Sequence, residues 1–322
     1  MSFWAGRKVL VPGGSGFVGS HLVELLIDEG ATVTVSSRKE APRFLADVAS
    51  EVDLRHGDLE DPVFCRDIVA GQDTVLYLAA EVGGIHYNRL HHASLFASNL
   101  RPFLNVLEAV REARPERFLI TSSACVYPRH PSIPTPEQEG THGEPEPTNG
   151  GYGWAKRMQE YLGTAAMQEY GLKIAIARPY NAYGPRDDFD PATSHVIPSL
   201  IRRVLAGEDP LRVWGSGNQT RTFLYVKDFV RGLLLCAERY AEGRPVNLGT
   251  DEETSIRELV ELCLELIGRR PRVEYDTSRP EGQPRRCCDT TLMKRVLGWE
   301  PSTSLRDGLA ETIRWYRKQA EA

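Results

Sequence analysis

Lys8-Val9-Leu10-Val11-Pro12-Gly13-Gly14-Ser15-Gly16-Phe17-Val18-Gly19 is the stretch that decides the fold. Arg7 to Pro12 reads as a buried strand, and Gly13, Gly16 and Gly19 follow at G-x-x-G-x-x-G spacing. Ser20 to Glu29 then reads as a helix, with apolar faces from Leu22, Val23, Leu25, Leu26 and Ile27. Glycines at a strand-to-helix turn let a phosphate approach the backbone at a helix N-terminus, where free N–H groups point outward. A turn calls for glycine in any case; the strand–turn–helix context is what points to a dinucleotide. Ser15, Phe17 and Val18 complete the loop as candidate cofactor contacts.

Further strands are expected at Thr32–Val35, Val52–Leu54, Thr74–Ala80, Arg117–Ser122 and Lys173–Arg178, and helices at Ala93–Arg114 and Tyr152–Tyr170. Strands alternating with helices mean βαβ units and right-handed crossovers. The fold class is α/β: a Rossmann-type doubly wound parallel sheet with a smaller C-terminal α/β substrate domain. Pro128 to Gly151, rich in Pro, Gly, Glu and Thr, reads as a surface loop. After Tyr183-Gly184-Pro185 the pattern is less regular, with strand-like Leu211–Trp214, Val246–Gly249 and Arg272–Tyr275. The expected division is a dinucleotide domain over 1–182, with a later contribution from about 222–250, and a substrate domain mainly over 183–322.

Composition narrows the function. The 322 residues are 41% hydrophobic and 26% charged, with a formal charge of −5, so there is no footprint for nucleic acid or an anionic membrane. Any anionic ligand must be held by a local cluster of arginines. No run approaches the ~18 apolar residues of a membrane span. Met1-Ser2-Phe3-Trp4-Ala5-Gly6 leads straight into the first strand without a leader pattern. The six cysteines show no C-x-x-C spacing, so reduced thiols, no metal site and a cytoplasmic location are expected.

The second strand runs into Ser36-Ser37-Arg38-Lys39. An NAD site usually carries a carboxylate there for the ribose 2′-hydroxyl. Here Ser37 and Arg38 suit a 2′-phosphate instead, which favours NADP(H) with NAD as the alternative. Asp58-Leu59 follows the third strand and is expected near the adenine, although Asp58 after Gly57 also reads as an ordinary turn residue.

The chemistry lies at Ser123-Ala124-Cys125 and Tyr152-Gly153-Trp154-Ala155-Lys156. Tyrosine and lysine four apart share a helix face, and the ammonium is expected to draw the phenol below its usual pKa of ~10. Ser123, at a strand end, suits a hydrogen bond to the same substrate oxygen. The trio is equipment for moving a proton on and off a carbinol beside a nicotinamide. Cys125 adds a thiol that redox chemistry alone does not need; a small core residue is its simpler reading.

These residues resemble the extended short-chain dehydrogenase/reductases, the NAD-dependent epimerase/dehydratase family. The likeness covers nearly the whole chain. It is carried by the glycine loop, Asp58-Leu59, Leu78-Ala79-Ala80, Ser123, Tyr152-x-x-x-Lys156 and Arg178-Pro179-Tyr180-Asn181-x-Tyr183-Gly184-Pro185. Within the family the chain is most similar to the GDP-L-fucose synthases, and secondly to the GDP-mannose 3,5-epimerases. Val82-Gly83-Gly84-Ile85, Ser123–Pro128, Glu146-Pro147-Thr148-Asn149, Ser194-His195-Val196-Ile197-Pro198 and Arg279–Arg286 carry that narrower likeness. Ser15, Glu81 and Arg279 depart from it, where the synthases carry arginine, a basic residue and lysine.

The resemblance implies a nucleotide-diphosphate sugar substrate, 3,5-epimerisation and NADPH-dependent 4-reduction of a GDP-4-keto-6-deoxyhexose, and a homodimer through the two long helices. It makes Cys125 and His195 the acid–base pair, with Tyr152, Ser123 and Lys156 at the carbonyl. It adds Leu78, Ala79, Ala80, Pro179 and His195 to the cofactor contacts. Asn181, Val196, Arg203, Trp214, Arg221 and Arg279 become substrate contacts; guanidinium groups grip phosphate bidentately. Two alternatives stay open: a redox-neutral epimerase holding NAD tightly, and a non-catalytic dinucleotide sensor.

Overall fold

The first strand, β1 (Lys8–Pro12), is an interior strand of a seven-stranded parallel sheet. In the computed structural model, which describes residues 2–279 and 283–321, β2 (Thr32–Ser37) and β3 (Val52–His56) extend the sheet on one side of β1. On the other side come β4 (Thr74–Tyr77), β5 (Arg117–Thr121), β6 (Ile174–Pro179) and, at the edge, the strand Pro245–Leu248. Met1 and, within the Arg279–Arg286 segment, Pro280, Glu281 and Gly282 lie outside the described residues.

Alternation along each strand sorts the core into two layers. Val9 and Val11 of β1 face one layer with Leu22 and Leu26 of α1 (Phe17–Asp28). Leu10 faces the other, with Val75, Tyr77, Phe118 and Ile120 from the sheet. That second layer is closed by α2 (Pro62–Val69) through Cys65 and Ile68, and by the long helix His92–Ala113 through Phe103 and Val106. The sheet is therefore covered on both faces, as a doubly wound parallel sheet requires. With α3 (Ile85–Leu90) intervening, the helix His92–Ala113 is α4, and α5 (Gly150–Tyr170) packs against it.

A separate apolar cluster builds the rest. Ile197, Leu200 and Ile201 of α6 (Val196–Leu205) pack with Leu211, Val213, Leu259 and Cys263. Leu211–Trp214 pairs in parallel with Val273–Asp276. The helix Val226–Arg239 returns to the first sheet and puts Leu233 and Leu234 against the α1 layer. Among the described residues no helix is long and apolar enough to cross a membrane, and no group of three or more His, Cys, Asp or Glu side chains could hold a metal ion.

Two boundaries differ from the sequence reading in informative ways. Helix α1 starts at Phe17, three residues early, because Gly16 takes the extended N-cap conformation. Strand β4 stops at Tyr77, and the Leu78 N–H makes a 2.8 Å bond to Pro12 O as the chain leaves the sheet. Leu78–Ala80 thus become loop beside the glycine turn.

Candidate active site

In a parallel sheet every strand ends on the same side. The loops after β1, β2, β3, β4 and β5 carry the glycine turn, Arg38, Asp58, Leu78–Ala80 and Ser123–Cys125 respectively. The strand order reverses between β4 and β1, and the crevice at such a switch point is where open α/β sheets bind ligands.

The glycine turn fits a pyrophosphate. Gly13 has φ +87°, and a Cβ there would lie 2.6 Å from Ala79 N. A Cβ on Gly19 would overlap the Gly13 carbonyl oxygen. Gly16 caps α1 without a side chain, so the N–H groups of Phe17, Val18 and Gly19 have no partner within the helix. At the end of β2, Ser37 is buried while Arg38 and Lys39 are exposed, and no carboxylate stands there. Asp58 is exposed, and its Oδ1 accepts from Glu60 N at 3.0 Å, as a turn residue does. Leu59 is half-buried against the α2 layer, and Pro179 closes β6 half-buried.

The catalytic candidates meet where a short 3-10 turn, Ala124–Val126, abuts the first turn of α5. Ser123 Oγ caps that turn by accepting from Cys125 N at 3.1 Å. Gly153 makes the approach possible, since a Cβ there would lie 2.5 Å from Cys125 O. Tyr152 is 7% exposed, with Ser123 close enough to its phenol to act on it. Lys156 Nζ donates to Thr121 O at 2.8 Å and Gln159 Oε1 at 3.0 Å, and lies 5.6 Å from the centre of the Tyr152 ring.

The expected lowering of the Tyr152 phenol by Lys156 is reversed here. Burial pushes the phenol well above its ordinary value, and the Ser123 hydroxyl offsets only part of that. Burial also brings Lys156 down to about 7, against the pull of Glu160 and Cys125. Desolvation disfavours both charged forms, so the phenol keeps its proton and the Lys156 ammonium gives one up more easily than a solvated lysine does.

Segments far apart in sequence are tied together around this turn. Gly84 N donates to Thr193 O at 2.7 Å, next to Ser194-His195. Gly83 N donates to Asn88 Oδ1, and Asn88 Nδ2 to Asn149 Oδ1 at 2.8 Å. Glu146 N donates to Tyr127 O at 3.1 Å, and Gln283 Nε2 to Pro128 O at 2.7 Å. His195, the N-cap of α6, is open to water yet set deep in protein mass. Burial holds its imidazole below the ordinary value, with Asp188 opposing and Arg286 reinforcing.

The substrate candidates divide. Trp214 is 45% exposed, and Arg279 lies over its ring at 5.5 Å while reaching Asp276 at 3.6 Å. Val196, exposed, opens α6. Arg221 Nη1 donates to Thr220 O at 2.7 Å, and Asn181, at φ +22°, donates through Nδ2 to Thr222 O at 2.7 Å. Arg203 is engaged elsewhere: Glu208 holds it through both carboxylate oxygens, and its Nη2 also meets Arg212 O.

Sequence reasoning missed the buried polar partners beneath the site: Gln159, Asn99 and the pair Glu160–Arg178. Polar residues on otherwise apolar faces of α4 and α5 were the available signal.

The sequence profile of the NAD dependent epimerase/dehydratase family matches residues 9–249. A dTDP-4-dehydro-6-deoxy-D-allose reductase of a Streptomyces species is 36% identical, over 98% of this chain and 97% of the relative. GDP-L-fucose synthase 1 of Arabidopsis thaliana is 34% identical, over 97% and 93%. The crystal structure of a Thermotoga maritima UDP-glucose 4-epimerase with UDP-glucose is similar at a TM-score of 0.86 and 29% identity, over 97% of this chain and 99% of that one. The matched profile runs from β1 to just past the last edge strand of the sheet, and the chain belongs to the NAD-dependent epimerase/dehydratase family of extended short-chain dehydrogenase/reductases, a family of NAD(P)-dependent enzymes.

Proposed function

We propose that this enzyme epimerises C3 and C5 and reduces C4 of a nucleotide-linked 4-keto-6-deoxyhexose, a GDP-sugar in the first instance. The carrying observation is the junction of two chemistries on one turn: the Ser123–Tyr152–Lys156 carbonyl set and the Cys125 thiol, with Gly153 in contact with the Cys125 backbone.

A 4-ketone makes the hydrogens on C3 and C5 acidic. Cys125 and His195 serve as base and acid at those carbons: the thiolate form of Cys125 takes the proton from one face, and the protonated imidazole of His195 returns one to the other. Ser123 and Tyr152 donate hydrogen bonds to the C4 oxygen and stabilise the enolate. Tyr152 then gives its proton to that oxygen. Its raised pKa suits the donor role, because the phenol holds its proton at working pH. Lys156 spends two N–H groups on Thr121 and Gln159 and keeps one for a ribose hydroxyl. A bound reduced nicotinamide would supply the hydride.

Arg38 and Lys39, with no acid at the end of β2, support NADP(H) as the cofactor. In this reading cofactor is held mainly by residues 1–182 and sugar nucleotide mainly by 183–322. Arg279 and Trp214 are the best-supported substrate contacts, and Arg203 would first have to leave Glu208. The exposed Leu104 of α4 and Tyr161 of α5 support a homodimer through those helices.

A second reading is 4-reduction without epimerisation, favoured by the 36% identical relative whose name is a reductase's. A panel of GDP-, dTDP- and UDP-linked 4-keto-6-deoxy sugars, followed by NADPH absorbance, tests the proposal. Turnover of a GDP-sugar supports it; consumption with a dTDP-sugar alone moves the nucleotide assignment. NADPH consumption with none of them overturns the reading.

A further inference from the structure

The chemistry above does not call for Gln159, yet this residue is completely buried. It follows Lys156 by three residues on α5, so the two share a face. Its Oε1 accepts from Lys156 Nζ at 3.0 Å, and its Nε2 donates to Asn99 O at 2.8 Å. Asn99, 1% exposed on α4, continues the line. Its Nδ2 donates to Glu81 O at 2.8 Å, and its Oδ1 accepts from Glu81 N at 3.0 Å. Glu81 directly follows Leu78-Ala79-Ala80. Two carboxamides therefore join the ammonium of Lys156 to the backbone of the loop after β4. A carboxamide does not ionise in the working range, so the line cannot pass a proton. What it fixes is position.

An ammonium has three N–H groups. Thr121 O and Gln159 Oε1 take two, and without the second acceptor the lysine head could rotate about its stem. We propose that Gln159 is a positioning residue: it sets the orientation of Lys156 and locks it in register with the Glu81 loop on the cofactor side. The inference rests on the role given to Lys156 above. The ionisable groups facing Lys156 are Glu160 from α5 and Cys125 from the turn before it, with the Tyr152 ring at 5.6 Å. Glu160 is itself committed to Arg178 of β6. Gln159 is thus the neutral member of the cage, and a change of charge there acts on Lys156 directly.

The test uses the full-length, cofactor-free protein. Lys156 is followed by NMR of 13Cε-labelled lysine across a pH series and assigned with Lys156→Met; NADPH affinity is measured by fluorescence. Gln159→Glu is nearly isosteric and places a carboxylate on Nζ, so Lys156 should bind its proton at least tenfold more tightly. Gln159→Leu removes the acceptor; the Lys156 midpoint should fall below that of the wild type and NADPH affinity should drop about tenfold. An unchanged Lys156 midpoint in Gln159→Glu overturns the proposal, whatever the affinity does, and that variant decides alone if Gln159→Leu does not fold. Neither readout involves a sugar, so failure of the proposed sugar chemistry would be seen separately.

Discussion

Replacing Glu160 by glutamine removes a charge from the most enclosed ion pair near the site. Arg178 is 1% and Glu160 9% exposed at the side chain. The contact is bidentate, Nε to Oε1 at 2.7 Å and Nη2 to Oε2 at 2.6 Å, and Ser122 Oγ also donates to Oε1. The guanidinium cannot shed its proton, so Glu160→Gln leaves a buried cation without a counter-charge. Losing one partner of such a pair costs about 3–5 kcal/mol. At roughly 2.1 cal/mol/K of unfolding entropy per residue, 322 residues give about 0.7 kcal/mol/K, so Tm should fall by about 4–7 °C. The double variant Glu160→Leu/Arg178→Met removes both charges and should recover more than half of the loss. Recovery stops short because Arg178 also serves Tyr127 OH at 3.0 Å and Glu137 O at 2.5 Å. Calorimetry on the wild type and the two variants measures both changes. A fall below about 2 °C in Glu160→Gln, or a double variant no better than the single, would refute the reasoning.

Other expectations follow from single positions. Gly13→Ala, at φ +87° with its Cβ driven against Ala79 N, should cost more than about 100-fold in NADPH affinity by fluorescence titration; wild-type affinity would contradict the cradle. Tyr152→Phe should lower kcat by about 10²–10⁴-fold while NADPH affinity stays within about twofold, measured by turnover and titration separately. Asp187, buried at 8% exposure, has its carboxyl pushed up to about 8 by desolvation. The folded state therefore holds a proton that the unfolded chain loses near pH 4, and this contribution to stability declines as pH rises from there to about 8. Asp187→Asn should remove that part of the slope, and Tm measured from pH 5 to 8.5 should fall less steeply than in the wild type.

The sheet was legible because its strands are short apolar runs punctuated by glycine and polar residues, and each predicted strand overlaps an observed one. The glycine turn was legible because backbone sterics restrict it to glycine, as Gly13 and Gly19 show. The start of α1 was misjudged because an N-cap glycine is indistinguishable in sequence from one more turn residue. The site was legible as residue types but not as electrostatics. A tyrosine and a lysine four apart suggest a lowered phenol only while water is left out of account; burial of both reverses the direction. Nothing local in the sequence joins Gln159 to Asn99, which lies 60 positions earlier and meets it through a backbone carbonyl. Arg203 looked available because Glu208, five residues on, reaches it only once the end of α6 is folded.

The central claim is that one site moves protons at C3 and C5 and reduces C4. Its most direct test is to supply GDP-4-keto-6-deoxymannose and NADPH in heavy water and weigh the product. The account predicts a reduced sugar carrying solvent deuterium at both C3 and C5, and with Cys125→Ser loss of that deuterium while NADPH still binds. A reduced product from the wild-type enzyme with no solvent deuterium at either carbon would contradict it.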